Sequence, residues 1–253
     1  MVNYKFNFKK PIVCTAIHNG HLLSDFVQKK IAISEQEQLR EEDPFTDFFI
    51  ENCGNTIIPK ISRFEVDLNR PMSRAIYLKP KDCWGMNVRK REFTEKEIQI
   101  LQAYYQGFYD ETHKYLTKML NQFEKIFIFD IHSYNHHRLG ISAKYDDPLK
   151  NPEIILGTNN MPEKWLPLIE NIQKKMTNFD FYGSSLDVRI NVKFPGGHFS
   201  RWIHNNFPEN ACCVAIEFKK IFMDEWTGFR DIKVQEKLRN ALESCFEEVY
   251  KFL

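Results

Sequence analysis

Six short apolar runs punctuate this chain, at residues 12–17, 57–61, 126–131, 154–156, 188–192 and 212–218. Each is bounded by polar residues or by Gly and Pro. Several are apolar at consecutive rather than alternate positions, the pattern of strands covered on both faces. Helical stretches lie between them. The clearest opens at Thr94, whose spacing to Glu97 makes a capping box, with Phe93 and Ile98 placed as a hydrophobic staple. Apolar residues then recur at Ile98, Leu101, Tyr105, Phe108, Tyr115, Leu116 and Met119, close to the 3.6-residue period. Further helices are expected over 163–176 and 234–250. Strands alternating with helices predict an α/β fold, a three-layer αβα sandwich around a mostly parallel mixed sheet. Ligands in such sheets bind beyond the carboxyl ends of the strands, so the polar residues that close the apolar runs carry the functional information.

Composition narrows the classes of function. With 35 Lys and Arg against 34 Asp and Glu, the formal charge is +1, which leaves no electrostatic footprint for nucleic acid or an anionic membrane. No stretch of about 20 apolar residues is present, so no membrane span is expected. The first residues interleave lysines with aromatics, unlike a signal peptide. The six cysteines, three of them (Cys14, Cys212, Cys213) inside apolar runs, read as reduced thiols of a cytoplasmic protein. Without repeats, Gly/Ser linkers or low-complexity blocks, one domain is expected over residues 1–253. Selectivity for an anionic ligand must then come from a few placed cations.

Three strand ends bear chemistry. His18 follows the first run and is succeeded by Asn19 and Gly20, a glycine suited to a sharp turn. Asp130 and His132 are two apart, so an extended chain puts them on one face. Glu217 sits inside a strongly apolar run, where a carboxylate is costly unless paired and where burial raises its pKa toward the range of proton transfer. Pairing with Lys219 is its structural alternative, and each histidine taken singly fits a buried structural role. Together, two imidazoles and a carboxylate can form the open three-ligand site of a catalytic zinc. The carboxylate must come from Glu41, Glu42, Asp43 or Asp47. Glu41 and Glu42 read more simply as acids complementing a helix N-terminus. Asn69 and Arg70 close an extended stretch and offer an amide and a planar fork for a carboxylate. Residues 194–201, with Gly196, Gly197 and Arg201, read as a Gly-containing turn carrying a cation.

In this order, these segments resemble the N-formylglutamate amidohydrolase family. The likeness runs through His18-Asn19-Gly20, Glu42-Asp43 with Asp47, Ser62-Arg63, Asp67-Leu68-Asn69-Arg70-Pro71 and Asp130-Ile131-His132-Ser133. It continues through Leu156-Gly157-Thr158-Asn159, residues 191–197, Ser200-Arg201, Glu217 and Phe222-Met223-Asp224-Glu225. The family usually has Pro-His-Ser-Gly where this chain has Ile17-His18-Asn19-Gly20, and its loop after Ser133 tends to be less basic than His136-His137-Arg138.

The resemblance implies a fold of the zinc carboxypeptidase and aspartoacylase group. It implies one divalent metal, Zn2+ by expectation, on His18, Asp43 and His132, with Glu42 as the fallback for Asp43. Glu217 is implied as general base, and Arg63 or Arg70 as stabiliser of the oxyanion. The implied substrate is a small anionic N-acyl amino acid, N-formyl-L-glutamate giving formate and glutamate. Its α-carboxylate would meet Asn69 and Arg70, and its γ-carboxylate Arg138 or Arg201. A monomer or homodimer is expected. Two rivals stand beside this reading: another zinc amidase or carboxypeptidase acting on small peptides or cell-wall fragments, and a non-catalytic binder on the same scaffold.

Overall fold

The computed structural model describes residues 2–253. In chain order the strands are β1 (Val2–Phe6), β2 (Ile12–Thr15), β3 (Asn55–Pro59), β4 (Ile126–Tyr134), β5 (Ile154–Gly157), β6 (Val188–Ile190) and β7 (Ala211–Lys219). The α-helices are α1 (Asp25–Gln28), α2 (Glu35–Glu41), α3 (Glu95–Leu120), α4 (Leu166–Thr177), α5 (His198–Asn206), α6 (Ile232–Glu243) and α7 (Phe246–Phe252). The sheet order is β1-β3-β2-β4-β7-β5-β6. Strands β3, β2, β4 and β7 run parallel, as do β5 and β6, while β1 and β5 pair antiparallel with β3 and β7. This is the mixed, mostly parallel sheet that the sequence predicts.

The consecutive apolar residues divide between two cores. Ile12, Cys14, Phe127, Phe129, Cys212 and Val214 face one side, with Leu168, Ile169, Leu238 and Val249 of α4, α6 and α7. Val13, Ile126, Ile128, Ala211 and Cys213 face the other, with Leu101, Tyr105, Phe108 and Leu116 of α3 and Phe199 and Ile203 of α5. A strand with helices on both faces has no side left for water, so period-two alternation disappears. The capping box forms as read: Thr94 Oγ1 accepts from the Glu97 amide at 3.3 Å and Glu97 accepts from the Thr94 amide at 2.6 Å.

Several boundaries differ from expectation. β4 runs on to Tyr134, so His132 and Ser133 lie inside the strand rather than beyond it. Edge strand β1 was not anticipated, although Val2, Tyr4 and Phe6 alternate with more exposed Asn3 and Lys5. The segment read as a Gly-containing turn becomes α5 from His198 onward. The last helix is two, α6 and α7, interrupted at Ser244–Cys245, where buried Cys245 packs against Ile172. Glu41 and Glu42 do not open a helix; they end α2, which is capped instead by Ser34 and Glu37. Gly20 serves close approach rather than a sharp turn: a Cβ there would stand 2.5 Å from the Ile61 carbonyl oxygen. Among the described residues, no helix is long and apolar enough to cross a membrane.

Helix α5 is fastened to the sheet by His204, which accepts from the Cys213 amide at 3.0 Å and donates to Asn160 Oδ1 at 2.8 Å. Burial pushes this imidazole down to about 4. An unfolded histidine titrates near 6.5, so between those values the unfolded chain binds the extra proton. Its contribution to stability is therefore complete above pH ~6.5 and is lost as pH falls toward 4, to at most about 3 kcal/mol. Urea unfolding of His204→Gln from pH 7 to 4 is expected to show a shallower acid loss than the parent. An equal slope in both would mean that His204 does not drive it.

Candidate active site

The site begins where β2 and β4 end. His18 follows β2 by three residues and lies 3% exposed, and His132, in β4, lies 2% exposed. Their rings meet edge to face, with centroids 4.9 Å apart. Between them comes Asp43, delivered by the segment after α2, whose amide donates to the His18 carbonyl at 3.1 Å. Asp43 Oδ2 lies 2.9 Å from His132 Nδ1 and 3.4 Å from His18 Nδ1. One ligand atom from each of the three falls within 4.8 Å of the others.

The far nitrogens of both rings are engaged by buried carboxylates. His18 Nε2 is 2.7 Å from Asp67 Oδ1, and His132 Nε2 is 2.9 Å from Asp130 Oδ2. An ionised carboxylate only accepts, so each Nε2 carries the hydrogen, and a neutral ring then turns its Nδ1 lone pair toward Asp43. Three electron-pair donors thus face one point with their N–H groups spent elsewhere. That donor set calls for a cation, and carboxylates behind metal-binding histidines are its usual support. The field agrees. Burial opposes charge on His132, yet Asp130 and then Asp43 hold the imidazole well above its ordinary pKa. Burial likewise opposes ionisation of Asp43, but hydrogen bonds from His132 and His18 keep it well below the carboxylate range.

A cavity of about 240 Å³ opens over this cluster. Glu217 lines it, paired in register with His132 across β4 and β7. Lys219, its expected structural partner, turns to the Asn151 carbonyl instead, at 3.0 Å. Burial pushes the Glu217 carboxyl up to about 8, the charge of Asp43 adding while His132 and Arg63 oppose. A cation in the neighbouring cluster would draw it back toward a form that accepts a proton at neutral pH.

Cations also line the cavity. Arg63 Nη2 donates to Asp67 Oδ2 at 2.9 Å and Arg70 Nε lies 3.2 Å from the same oxygen, so both guanidiniums are held by the carboxylate that orients His18. Arg70 Nη1 also donates to the Asp82 carbonyl at 2.5 Å. Asn69 accepts the Phe199 amide at 2.9 Å and packs against Gly197, where any Cβ would collide with its amide. Arg138 reaches the rim and contacts Glu41 at 3.2 Å. Arg201 is not brought in: it sits on the exposed face of α5 and does not line the cavity. Glu42 is spent on structure, with His21 at 2.5 Å, Gln38 at 3.0 Å and the Ser62 hydroxyl.

Four lining residues, Trp84, Tyr134, Asn135 and Lys220, belong to no motif that marks them in the sequence. Lys220 is 1% exposed and donates to the carbonyls of Arg40 at 2.6 Å and Glu42 at 2.8 Å. It thereby ties the segment bearing Asp43 to the end of β7, and burial pushes its ammonium down to about 8. Trp84 and Phe194 supply apolar wall. Asp67 was read only as part of a motif, although a carboxylate two residues before an Asn-Arg pair is a place to look for a histidine's support.

Buried titratable side chains gathered at the carboxyl ends of central parallel strands give this α/β protein the kind of site that enzymes of such folds carry. Its relatives say which kind. The family model for N-formylglutamate amidohydrolase matches residues 10–223, and the chain belongs to that family, whose chemistry is hydrolysis of an amide bond. Its structure is similar to N-formylglutamate amidohydrolase from Ralstonia eutropha, with a TM-score of 0.73 and 17% identity over 100% of this chain and 99% of that one. It is also similar to a gene product from Agrobacterium tumefaciens, with a TM-score of 0.69 and 15% identity over 98% and 96% of the two chains. At such identities these likenesses bear on the fold. No curated protein matches the chain in sequence.

Proposed function

We propose that this protein hydrolyses N-formyl-L-glutamate to formate and L-glutamate with the help of one divalent metal, Zn2+. The observation that carries the reading is the convergence of His18, Asp43 and His132, 25 to 114 positions apart in the chain, with ligand atoms within 4.8 Å of one another. Two imidazoles and one carboxylate leave a coordination position open, as catalytic zinc requires. Bound there, the ion supplies a Lewis acid that lowers the pKa of water to about 7 and polarises the acyl carbonyl.

The remaining work falls to the chain. Glu217, on the open side of the cluster, takes a proton from the attacking water and returns it to the leaving amine nitrogen. Arg63, fixed by Asp67 and Tyr77, offers a charged donor to the oxyanion. Asn69 and Arg70 grip the α-carboxylate; Arg70 retains donors beyond those used on Asp67 and Asp82. Arg138 at the rim meets the γ-carboxylate, with Arg201 withdrawn from that role by its position. The cavity, below the ~300–1,000 Å³ of drug-sized ligand sites, suits a substrate no larger than an acylated amino acid.

The test is release of free amino acid from N-formyl, N-acetyl and N-succinyl substrates by zinc-loaded and chelated protein. N-formyl-L-glutamate is expected to turn over fastest, with activity lost on chelation and restored by zinc. Turnover preferring another acyl amino acid would keep the hydrolase and change its substrate. No turnover by metal-loaded protein would leave a binder.

A further inference from the structure

Trp84 is out of place for a residue with no function. Its indole is 53% exposed, yet it lines the active-site cavity. Its backbone adopts φ +48, a left-handed conformation that is strained for a bulky residue and needs surrounding structure to hold it. That support is present. Cys83 beside it is fully buried, and the Asp82 carboxylate accepts the amides of Leu78 at 3.1 Å and Lys79 at 2.9 Å, while the Asp82 carbonyl is bonded by Arg70. Gly85, at φ +89, then turns the chain away. The loop is thus anchored just before Trp84 and closed just after it, where the Gly85 amide donates to the Pro80 carbonyl at 2.9 Å.

What the indole covers is specific. Its ring centroid lies 4.8 Å from Arg63 Cζ and 5.8 Å from Arg70 Cζ, and Tyr77 stacks on Arg70 from 4.7 Å. Both guanidiniums are anchored at one edge by Asp67, so the aromatic faces fix their planes and shield them from water. A guanidinium shielded in this way binds a carboxylate more strongly, because the competing solvent and salt are kept off.

We propose that Trp84 is a positioning residue for substrate affinity, the roof over Arg63 and Arg70, the second of which receives the substrate carboxylate. This rests on the proposed N-acyl amino acid hydrolysis and goes beyond it by assigning affinity to a side chain outside the charged set. Trp84 reaches neither the histidines nor Glu217 through any hydrogen bond, so its loss acts through Arg70, while Arg63 keeps its own bonds to Asp67 and Tyr77.

The experiment compares zinc-loaded wild type, Trp84→Ala and Trp84→Phe on N-formyl-L-glutamate at low and high salt. Trp84→Ala is expected to raise KM about tenfold while kcat stays within about threefold, with zinc content and Tm unchanged. Its KM should also climb more steeply with salt than that of wild type. Trp84→Phe, which keeps an aromatic face, should recover most of the loss. Wild-type KM and salt dependence in folded Trp84→Ala would overturn the role of Trp84 and leave the hydrolase intact. A fall in kcat at constant KM would overturn it too, placing Trp84 in the chemical step. Wild type that cleaves no N-acyl amino acid would overturn the function beneath the proposal instead.

Discussion

Replacing Glu217 with glutamine is expected to lower kcat by roughly 10²–10⁴, the range typical of general acid–base catalysis. The amide keeps the shape of the side chain and removes the proton acceptor. Zinc content should stay near that of the parent, because Glu217 is outside the group of His18, Asp43 and His132 that gathers around one point. KM should move little, since the lost interaction belongs to the transition state. Steady-state kinetics with metal analysis on the same preparation make the measurement. Full activity in folded Glu217→Gln would reduce the carboxylate to a wall of the cavity. Loss of zinc would make it a ligand, and Asp43 would have to yield that place.

The second large effect separates two neighbours in the chain. Asp43→Ala is expected to cut zinc affinity by more than the roughly 10–100-fold typical of removing an outer-shell partner, and to abolish activity at stoichiometric metal. Glu42→Gln should keep both metal and kcat. Asp43 Oδ2 points at both imidazoles, whereas Glu42 is turned to His21, Gln38 and Ser62. Truncating Asp43 is also gentler than truncating either histidine. It leaves two rings behind with their supports intact, whereas loss of a ring removes one donor from the buried carboxylate of Asp67, which keeps Arg63 at its far oxygen, or of Asp130, which keeps Thr15. Zinc titration with a competing chelator reads the affinities directly. Zinc retained by Asp43→Ala and lost by Glu42→Gln would exchange the two assignments.

The layers of the fold were legible in the sequence because local patterns encode them. Runs such as 126–131 and 212–218 could be strands only if both faces were covered, and the Thr94–Glu97 box marked the start of α3. The period of two also placed Asp130 and His132 on one face of β4, and the order of the short motifs carried the family. Boundaries were less legible. β4 extends past its apolar run because a parallel neighbour, β7, continues to pair with it through Tyr134 and Lys219. Nothing within β4 alone announces that.

Which side chains share the cavity was decided by tertiary structure. Glu41, Glu42 and Asp43 are adjacent acids that local pattern does not tell apart, and only the family resemblance favours Asp43. The end of α2, pinned by Lys220 from β7, sends the first to Arg138, the second to His21 and the third to the histidines. Arg201 and Arg138 looked equivalent as cations near motifs, but the formation of α5 turns Arg201 outward. Trp84 carried no motif at all, and its place over two guanidiniums depends on a loop anchored by buried Cys83 and by Asp82. Periodicity reports which face of its own element a residue occupies. It carries no information about which distant segment will lie against that face, since that depends on contacts between residues separated by tens to more than a hundred positions. The sequence therefore determined the layers and the family, whose likeness pointed to Asp43, while the folded chain brought that carboxylate against the histidines and set the cations and Trp84 around the cavity.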